Sequence, residues 1–127
     1  MATIELTEKN FEETITGNDM VIIDFWASWC GPCKSFAPTY EAASEQHNDI
    51  IFAKVNTEEQ QKIAAHFSIR SIPTLMIFRE QVGIFAQPGA LPPAALEDVI
   101  EKAKALDMAK VHEEVAKMEE QEGQADS

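Results

Sequence analysis

Cys30 and Cys33 are the only cysteines of the chain, and they lie three positions apart in the segment WCGPCK. The segment follows an apolar run typical of a strand and precedes a helical pattern. We therefore expect Cys30 at a helix N-terminus, where free N–H groups and the helix dipole stabilise a thiolate. Cys33 then lies one turn into the helix, within bridging distance. The placement predicts that Cys30, the exposed thiol, attacks a disulfide and that Cys33, the shielded one, resolves the mixed disulfide.

The two residues between the cysteines favour this redox chemistry. Gly31 lets another chain approach the sulfur, and Pro32 stiffens the turn and removes a backbone donor. The alternatives are a structural disulfide or half of a zinc site, and tetrahedral zinc needs four ligands. The chain offers no second ligand pair at a suitable spacing, and we interpret its histidines as surface residues: His47, His66 and His112. We expect no metal and no bound cofactor.

The predicted elements that position this pair alternate between strand and helix. Strands are predicted at residues 3–6, 20–27, 50–56, 74–78 and 82–86, with residues 79–81 as a loose turn between the last two. Helices are predicted after a cap at Thr7, at 33–47 with Pro38 inside, at 58–67, and from Pro92 onwards. This order indicates an α/β fold with a central mixed five-stranded sheet flanked by about four helices.

Size and charge restrict the class of protein. The 127 residues, 45% of them hydrophobic, fit one compact domain. The excess of 22 acidic over 10 basic residues gives a net charge of −12, which repels phosphate backbones and anionic lipids. We therefore expect neither nucleic-acid nor membrane partners. Since the chain has no secretory pattern and no apolar run near the roughly 18 residues of a membrane span, we expect a cytoplasmic protein.

Residues 24–34 (DFWASWCGPCK) closely resemble the active-site signature of thioredoxins. Further blocks match the family at its usual separations: the helix-kink proline at Pro38, the central strand at 53–56, the cis-proline loop at 69–74 with Pro73, and the flanking loop at 89–91. The resemblance extends from about Ile4 to about Leu106. It implies a thioredoxin fold and a protein-disulfide reductase, with thioredoxin reductase and disulfide-containing client proteins as partners. We expect a monomer.

Asp24 interrupts a strand that is otherwise apolar on both faces. It is either a strand-end aspartate at a sheet edge or a buried acid beneath the cysteines, where desolvation would raise its pKa and let it accept a proton from Cys33. The resemblance implies the second, because thioredoxins carry a buried aspartate here and a lysine at the position of Lys54. Lys54 is thus expected as the partner of Asp24, the alternative being a surface lysine.

The resemblance also implies a substrate groove around the Cys30 sulfur. The backbone of Ile72 is expected to pair with an extended substrate, as in strand addition. Trp26 is expected to pack beneath the site. The predicted groove residues are Trp29, Gly31, Pro32, Ile72, Pro73, Gly89 and Ala90. An alternative function is a thioredoxin-fold interaction or chaperone module in which redox activity is secondary.

The chain continues beyond Leu106, where the resemblance ends. We divide it into a thioredoxin domain at 1–106 and an acidic helical extension at 107–127, with a frayed tail from Glu119. An apolar stripe predicts that the last helix either continues or restarts after Asp107: Leu106, Val111, Val115 and Met118. The extension is too short for a coiled coil, so it is either a solvated, partly frayed helix or a surface for docking or self-association.

Overall fold

The computed structural model describes residues 2–125, with side chains up to residue 122; Met1 and the last two residues of the predicted tail lie outside it. Its elements are β1 (Thr3–Glu5), α1 (Phe11–Thr16), β2 (Met20–Trp26), α2 (Gly31–Gln46), β3 (Ile51–Asn56), α3 (Gln61–His66), β4 (Thr74–Arg79), β5 (Val82–Pro88), α4 (Pro93–Ala105) and α5 (Met108–Ala125). The predicted α/β class is confirmed. The described chain has five helices where about four were predicted, because α4 and α5 are separate.

The five strands form one mixed sheet in the order β1-β3-β2-β4-β5. The strands β1, β3 and β2 run parallel, and β4 and β5 are antiparallel to their neighbours. The central strand β2 is buried on both faces, which explains its continuous apolar sequence. Ile22 packs towards α2 and α4, whereas Ile23 packs towards α1 and α3.

Helix α2 follows directly from the end of β2 and carries the cysteine motif at its first turn. Pro38 lies inside this helix, as predicted. Tyr40 is fully buried, and its hydroxyl lies 3.0 Å from the Ile22 carbonyl oxygen and 2.7 Å from that of Ala53. These contacts fix α2 on the two central strands, and so they fix the position of the cysteines.

Two local predictions were wrong. The first helix starts at Phe11, after Asn10, and so begins later than predicted. Thr7 instead closes the turn before the helix: its hydroxyl accepts from the Lys9 amide at 3.3 Å, and its amide donates to Asn10 Oδ1 at 2.7 Å. The turn between β4 and β5 is tight: Glu80 and Gln81 alone connect the strands, with φ of 48° and 70°. Left-handed backbone at both positions is what a two-residue hairpin requires.

Helix α5 restarts after a short break. Leu106 is extended, and Asp107 Oδ1 accepts a hydrogen bond from the Lys110 amide at 3.3 Å, the arrangement of an N-cap. Met108 is buried, and the stripe from Val111 to Met118 faces the start of β5 across a groove of about 420 Å³. The helix extends to Ala125, so the tail predicted to be frayed from Glu119 is helical up to that residue.

Candidate active site at the dithiol

Cys30 and Cys33 form a disulfide at the start of α2, with their Cα atoms 5.2 Å apart. Cys30 is the N-cap residue of the helix, and its Sγ accepts a hydrogen bond from the Cys33 amide at 3.1 Å. An amide N–H and the positive end of the helix dipole therefore both point at the Cys30 sulfur. After reduction, the same groups stabilise a thiolate at Cys30.

The expected difference in exposure between the two cysteines is absent in this disulfide form. Cys30 is 4% exposed and Cys33 is 3% exposed, because both sulfurs pack with Ala27, Trp26 and Ile72. Their positions differ instead. Cys30 precedes the helix, with its Sγ 3.7 Å from the Ile72 carbonyl oxygen, whereas Cys33 lies within the first turn.

The predicted groove residues lie around the start of α2, in the loop before β4 and in the loop after β5. The Ile72–Pro73 peptide bond is cis, as the resemblance implied. Gly89 has φ of 103°, a value that favours glycine, and its amide donates to the Pro73 carbonyl at 2.7 Å, which joins the two loops. The Trp29 side chain is 69% exposed. The remaining predicted groove residues are exposed or, for Ile72, half-buried: Gly31, Pro32, Ile72 and Ala90.

The Asp24 carboxyl is buried on the central strand, so the sheet-edge interpretation is excluded. The residue is 1% exposed, and neither carboxyl oxygen has a hydrogen-bond partner among the described residues. Burial raises the pKa of Asp24 to about 7, and the positive charge of Lys54 offsets part of that rise. Asp24 alternates with Ile23 and so faces α2, the helix that carries Cys33.

Lys54 lies opposite Asp24 in the register of β2 and β3. It is half-buried, and its ammonium group lies 4.9 Å from the centre of the Trp26 ring. Within the described chain no ion pair joins Lys54 to Asp24. Lys54 therefore acts on Asp24 through space, while its own charge rests against the indole ring. Trp26 packs against the cysteines, as expected.

Comparison with known proteins supports the interpretation of this site. The sequence model of the family described as thioredoxin matches residues 2–102. The chain belongs to the thioredoxin family. It is 58% identical over 122 residues to a Streptomyces coelicolor protein provisionally named thioredoxin 2, covering 96% of this chain and 91% of that one. It is 39% identical over 104 residues to a thioredoxin of Porphyra purpurea, covering 80% and 97% of the two chains.

Solved structures lead to the same family. A structure of Plasmodium falciparum thioredoxin superposes with a TM-score of 0.73 at 35% identity, covering 79% of this chain and 97% of that one. The bonded Cys30–Cys33 pair occupies the CXXC position of the thioredoxins. The protein is thus a thiol-disulfide oxidoreductase that reduces protein disulfides, and its partners are in general reductases and disulfide-containing clients.

The extension lies outside the residues that match the family model. The family match ends at residue 102, and α5 begins at Met108. The Streptomyces coelicolor relative is an exception, because an alignment over 96% of this chain includes most of α5. No helix in residues 2–125 of this thioredoxin combines the length and apolar character needed to cross a bilayer.

A buried polar cluster at the other end of α2 was not predicted from the sequence. His47, interpreted as a surface residue, is 8% exposed, and its Nε2 lies 2.6 Å from Glu97 Oε1. Its Nδ1 lies 3.1 Å from Lys104 Nζ. The partners are 50 and 57 positions away, so no local pattern could indicate them. The other histidines, His66 and His112, are exposed as expected.

Proposed function

We propose that Cys30 is the nucleophile of the reductase. In the reduced protein, the Cys30 thiolate attacks one sulfur of a client disulfide. The client S–S bond breaks, a Cys30–client mixed disulfide forms, and the second client sulfur leaves and takes up a proton. The observation that carries this assignment is the N-cap position of Cys30, whose sulfur receives the Cys33 amide and the positive end of the α2 dipole.

Cys33 then resolves the mixed disulfide. Its thiolate attacks the Cys30 sulfur, the bond to the client breaks, and the client leaves as a dithiol after gaining two electrons and two protons in total. We assign Asp24 as the acceptor of the Cys33 proton, because a carboxyl with a pKa of about 7 is matched to proton exchange near neutral pH. Lys54 is a positioning residue that keeps the pKa of Asp24 from rising further.

The client binds as an extended segment across the loops around Cys30. Within the described chain the Ile72 amide donates to no protein group, which leaves it available for strand-like pairing. The exposed Trp29 ring supplies an apolar contact next to the sulfur. The other groove residues that we assign to client binding are Gly31, Pro32, Pro73, Gly89 and Ala90.

We further propose that thioredoxin reductase returns electrons to the Cys30–Cys33 disulfide and that the protein acts in the cytoplasm as a monomer. The net charge of −12 argues against binding to nucleic acids and to anionic membranes. We assign the disulfide reduction to a thioredoxin domain at residues 1–106. The acidic helical extension at 107–127 is a separate element. The extension lies at the start of β5, whereas the dithiol follows the end of β2.

The test is to trap the intermediate. Reduced Cys33→Ser protein, mixed with insulin, is expected to accumulate a covalent complex that dithiothreitol releases, whereas Cys30→Ser protein forms none. The wild-type protein with its reductase is expected to turn over insulin disulfides. A complex that forms through Cys33 instead would reverse the two roles. If Cys30→Ser protein keeps the biological effect of the wild type, the interaction or chaperone module is the better description.

A further inference from the structure

His47, Glu97 and Glu101 converge at the end of α2 that lies away from the cysteines. One ligand atom from each of the three side chains lies within 4.8 Å of the others. His47 is the C-cap residue of α2, and the two glutamates are on α4. We propose that these three residues bind a divalent transition-metal ion, with Zn²⁺ as the ion that fits best.

The imidazole of His47 is held in position for such a role. Its side chain is 9% exposed, and the ring stacks on Phe52 with an interplanar angle of 25°. The Nε2 atom is directed at Glu97, 2.6 Å from a carboxylate oxygen. A buried ring with a fixed plane loses little freedom on binding an ion, which favours affinity.

The two carboxylates are placed so that an ion can reach them. Glu97 and Glu101 are four positions apart on α4 and so lie on one face, one turn from each other. Both reach solvent, whereas His47 closes the inner side of the cluster. One imidazole and two carboxylates are ligands that Zn²⁺ accepts in tetrahedral geometry, with water in the fourth position. Mg²⁺ and Ca²⁺ favour sites made of oxygen alone, and this set discriminates against them.

The positive charge of Lys104 disfavours binding of a metal ion at this cluster. Its ammonium donates to His47 Nδ1 at 3.1 Å, so the ring proton lies on Nε2 and is donated to Glu97. For Nε2 to bind Zn²⁺, that proton must move to Nδ1, and the neutral ring keeps one proton throughout. The Lys104 ammonium then has to leave Nδ1. Asp49 Oδ2 already lies 3.4 Å from Lys104 Nζ and can hold it.

The experiment is a titration of the untagged, full-length protein in its disulfide form with Zn²⁺. Isothermal titration calorimetry measures the heat of binding. Oxidation removes Cys30 and Cys33 as zinc ligands. We expect one saturable site, which Glu101→Gln weakens by about tenfold or more through loss of a ligand. The matched control Glu13→Gln removes an exposed glutamate on α1 and is expected to leave the affinity unchanged.

Two further variants, with His66→Gln as a control, test the other parts of the site. His47→Gln is expected to abolish the saturable binding, whereas His66→Gln, at an exposed histidine, retains it. Lys104→Gln is expected to tighten zinc binding by roughly tenfold, because the competing cation is gone. Thermal unfolding without zinc checks that each variant is folded, and added Zn²⁺ raises the unfolding temperature only where the site is intact.

Equal zinc affinities for the wild type and Glu101→Gln would overturn the proposal, as would a wild type with no saturable binding or with equal affinity for Mg²⁺. Insulin reduction by Glu101→Gln is expected to match the wild type, since the cluster lies at the far end of α2 from the dithiol. Failure of the metal site would therefore leave the assignment of Cys30 and Cys33 untouched.

Discussion

The two ends of strand β2 differ in how their buried charged side chains are contacted. At the end near the cysteines, the dithiol end, the Asp24 carboxyl and the Trp26 indole nitrogen are buried with no hydrogen-bond partner in residues 2–122. At the other end, the anchor end, Arg79 Nη1 donates to the carbonyls of Ala103, Lys104 and Leu106 at 3.0, 3.2 and 3.4 Å, although Arg79 Nε has no partner within the described chain. The His47 ring is contacted through both nitrogens at this end, by Glu97 and Lys104.

This difference distinguishes the end of β2 that carries the redox reaction from the end that supports the fold. A buried carboxyl without a partner destabilises the fold, and its raised pKa suits it to proton exchange in a reaction. A buried polar group with partners fixes the ends of helices and strands. The anchor end therefore holds α2 and α4 in place, so that the dithiol end can tolerate an unpaired carboxyl beneath its cysteines.

The largest expected effect comes from Asp24→Asn. Because the pKa of Asp24 is raised from 3.8 to about 7, the folded state holds this proton more tightly than the unfolded chain between those pH values. The free energy of unfolding of the wild type therefore falls as pH rises from about 4 to about 7, and is level above. The variant lacks this fall, so urea titrations should show it more stable by about 4 kcal/mol at pH 8 and equal to the wild type near pH 3.5.

The rate of insulin reduction provides a second test of Asp24→Asn. Asp24→Asn is expected to slow the release of insulin from the mixed disulfide at neutral pH, because Cys33 loses its proton acceptor. The control Asp98→Asn breaks an exposed pair with Lys102 and should change stability by at most about 0.5 kcal/mol. A difference between Asp24→Asn and the wild type that does not vary with pH would rule out a titrating carboxyl as its cause.

The next effect is at the anchor end. Arg79→Met removes the guanidinium that donates to three carbonyls at the C-terminal end of α4. Those carbonyl oxygens then lose this hydrogen-bond donor. We expect a loss of about 3 kcal/mol in urea unfolding, with insulin reduction unchanged at 25 °C. Arg70→Met, at an exposed arginine, is the matched control and should be near neutral in stability. Loss of activity in folded Arg79→Met protein would show that the two ends are not independent.

Truncation after Leu106 is expected to lower the free energy of unfolding by less than Arg79→Met does. It removes the buried Met108 side chain and the contact between His112 and Glu80, which is 3.0 Å long and exposed. Burial of one methionine is worth about 2 kcal/mol, and an exposed pair adds little. Met108→Ala in the full chain should reproduce most of the loss, and both proteins should reduce insulin at the wild-type rate. A dimer that becomes a monomer in sedimentation would instead show that α5 is an association surface.

The smallest effect concerns the turn at the anchor end. Gln81→Gly is expected to raise the free energy of unfolding by about 1 kcal/mol, because φ of 70° is costly for a residue with a side chain. Gln87→Gly, at an exposed position within β5, is the matched control and should lower it by about 0.5–1 kcal/mol. Urea midpoints with equal slopes provide the comparison, and a destabilised Gln81→Gly would mean that the Gln81 side chain has contacts that outweigh the backbone cost.

What could be predicted from sequence follows the range of the interactions. The Cys30–Cys33 pair, its place at a helix start and the β2 strand beneath it depend on neighbours within a few residues, and those predictions were confirmed. The burial of His47 depends on residues 50 or more positions away, and it was missed. The hairpin was predicted as loose because residues 79–83 lack the Asn-Gly turn of many thioredoxins, yet the pairing of β4 with β5 imposes left-handed backbone at Glu80 and Gln81.

The sheet register also has a consequence for how the chain folds. Thr3 pairs with Phe52, and Val21 pairs with both Ile51 and Phe78. Two strands near the start of the chain therefore pair with strands that are distant in sequence. Only β4 and β5 can pair across a short loop. Because closing long loops is entropically unfavourable before contacts form, we expect folding in milliseconds to seconds, with the β4–β5 hairpin as the early local unit and the β1–β3 edge as the last to close.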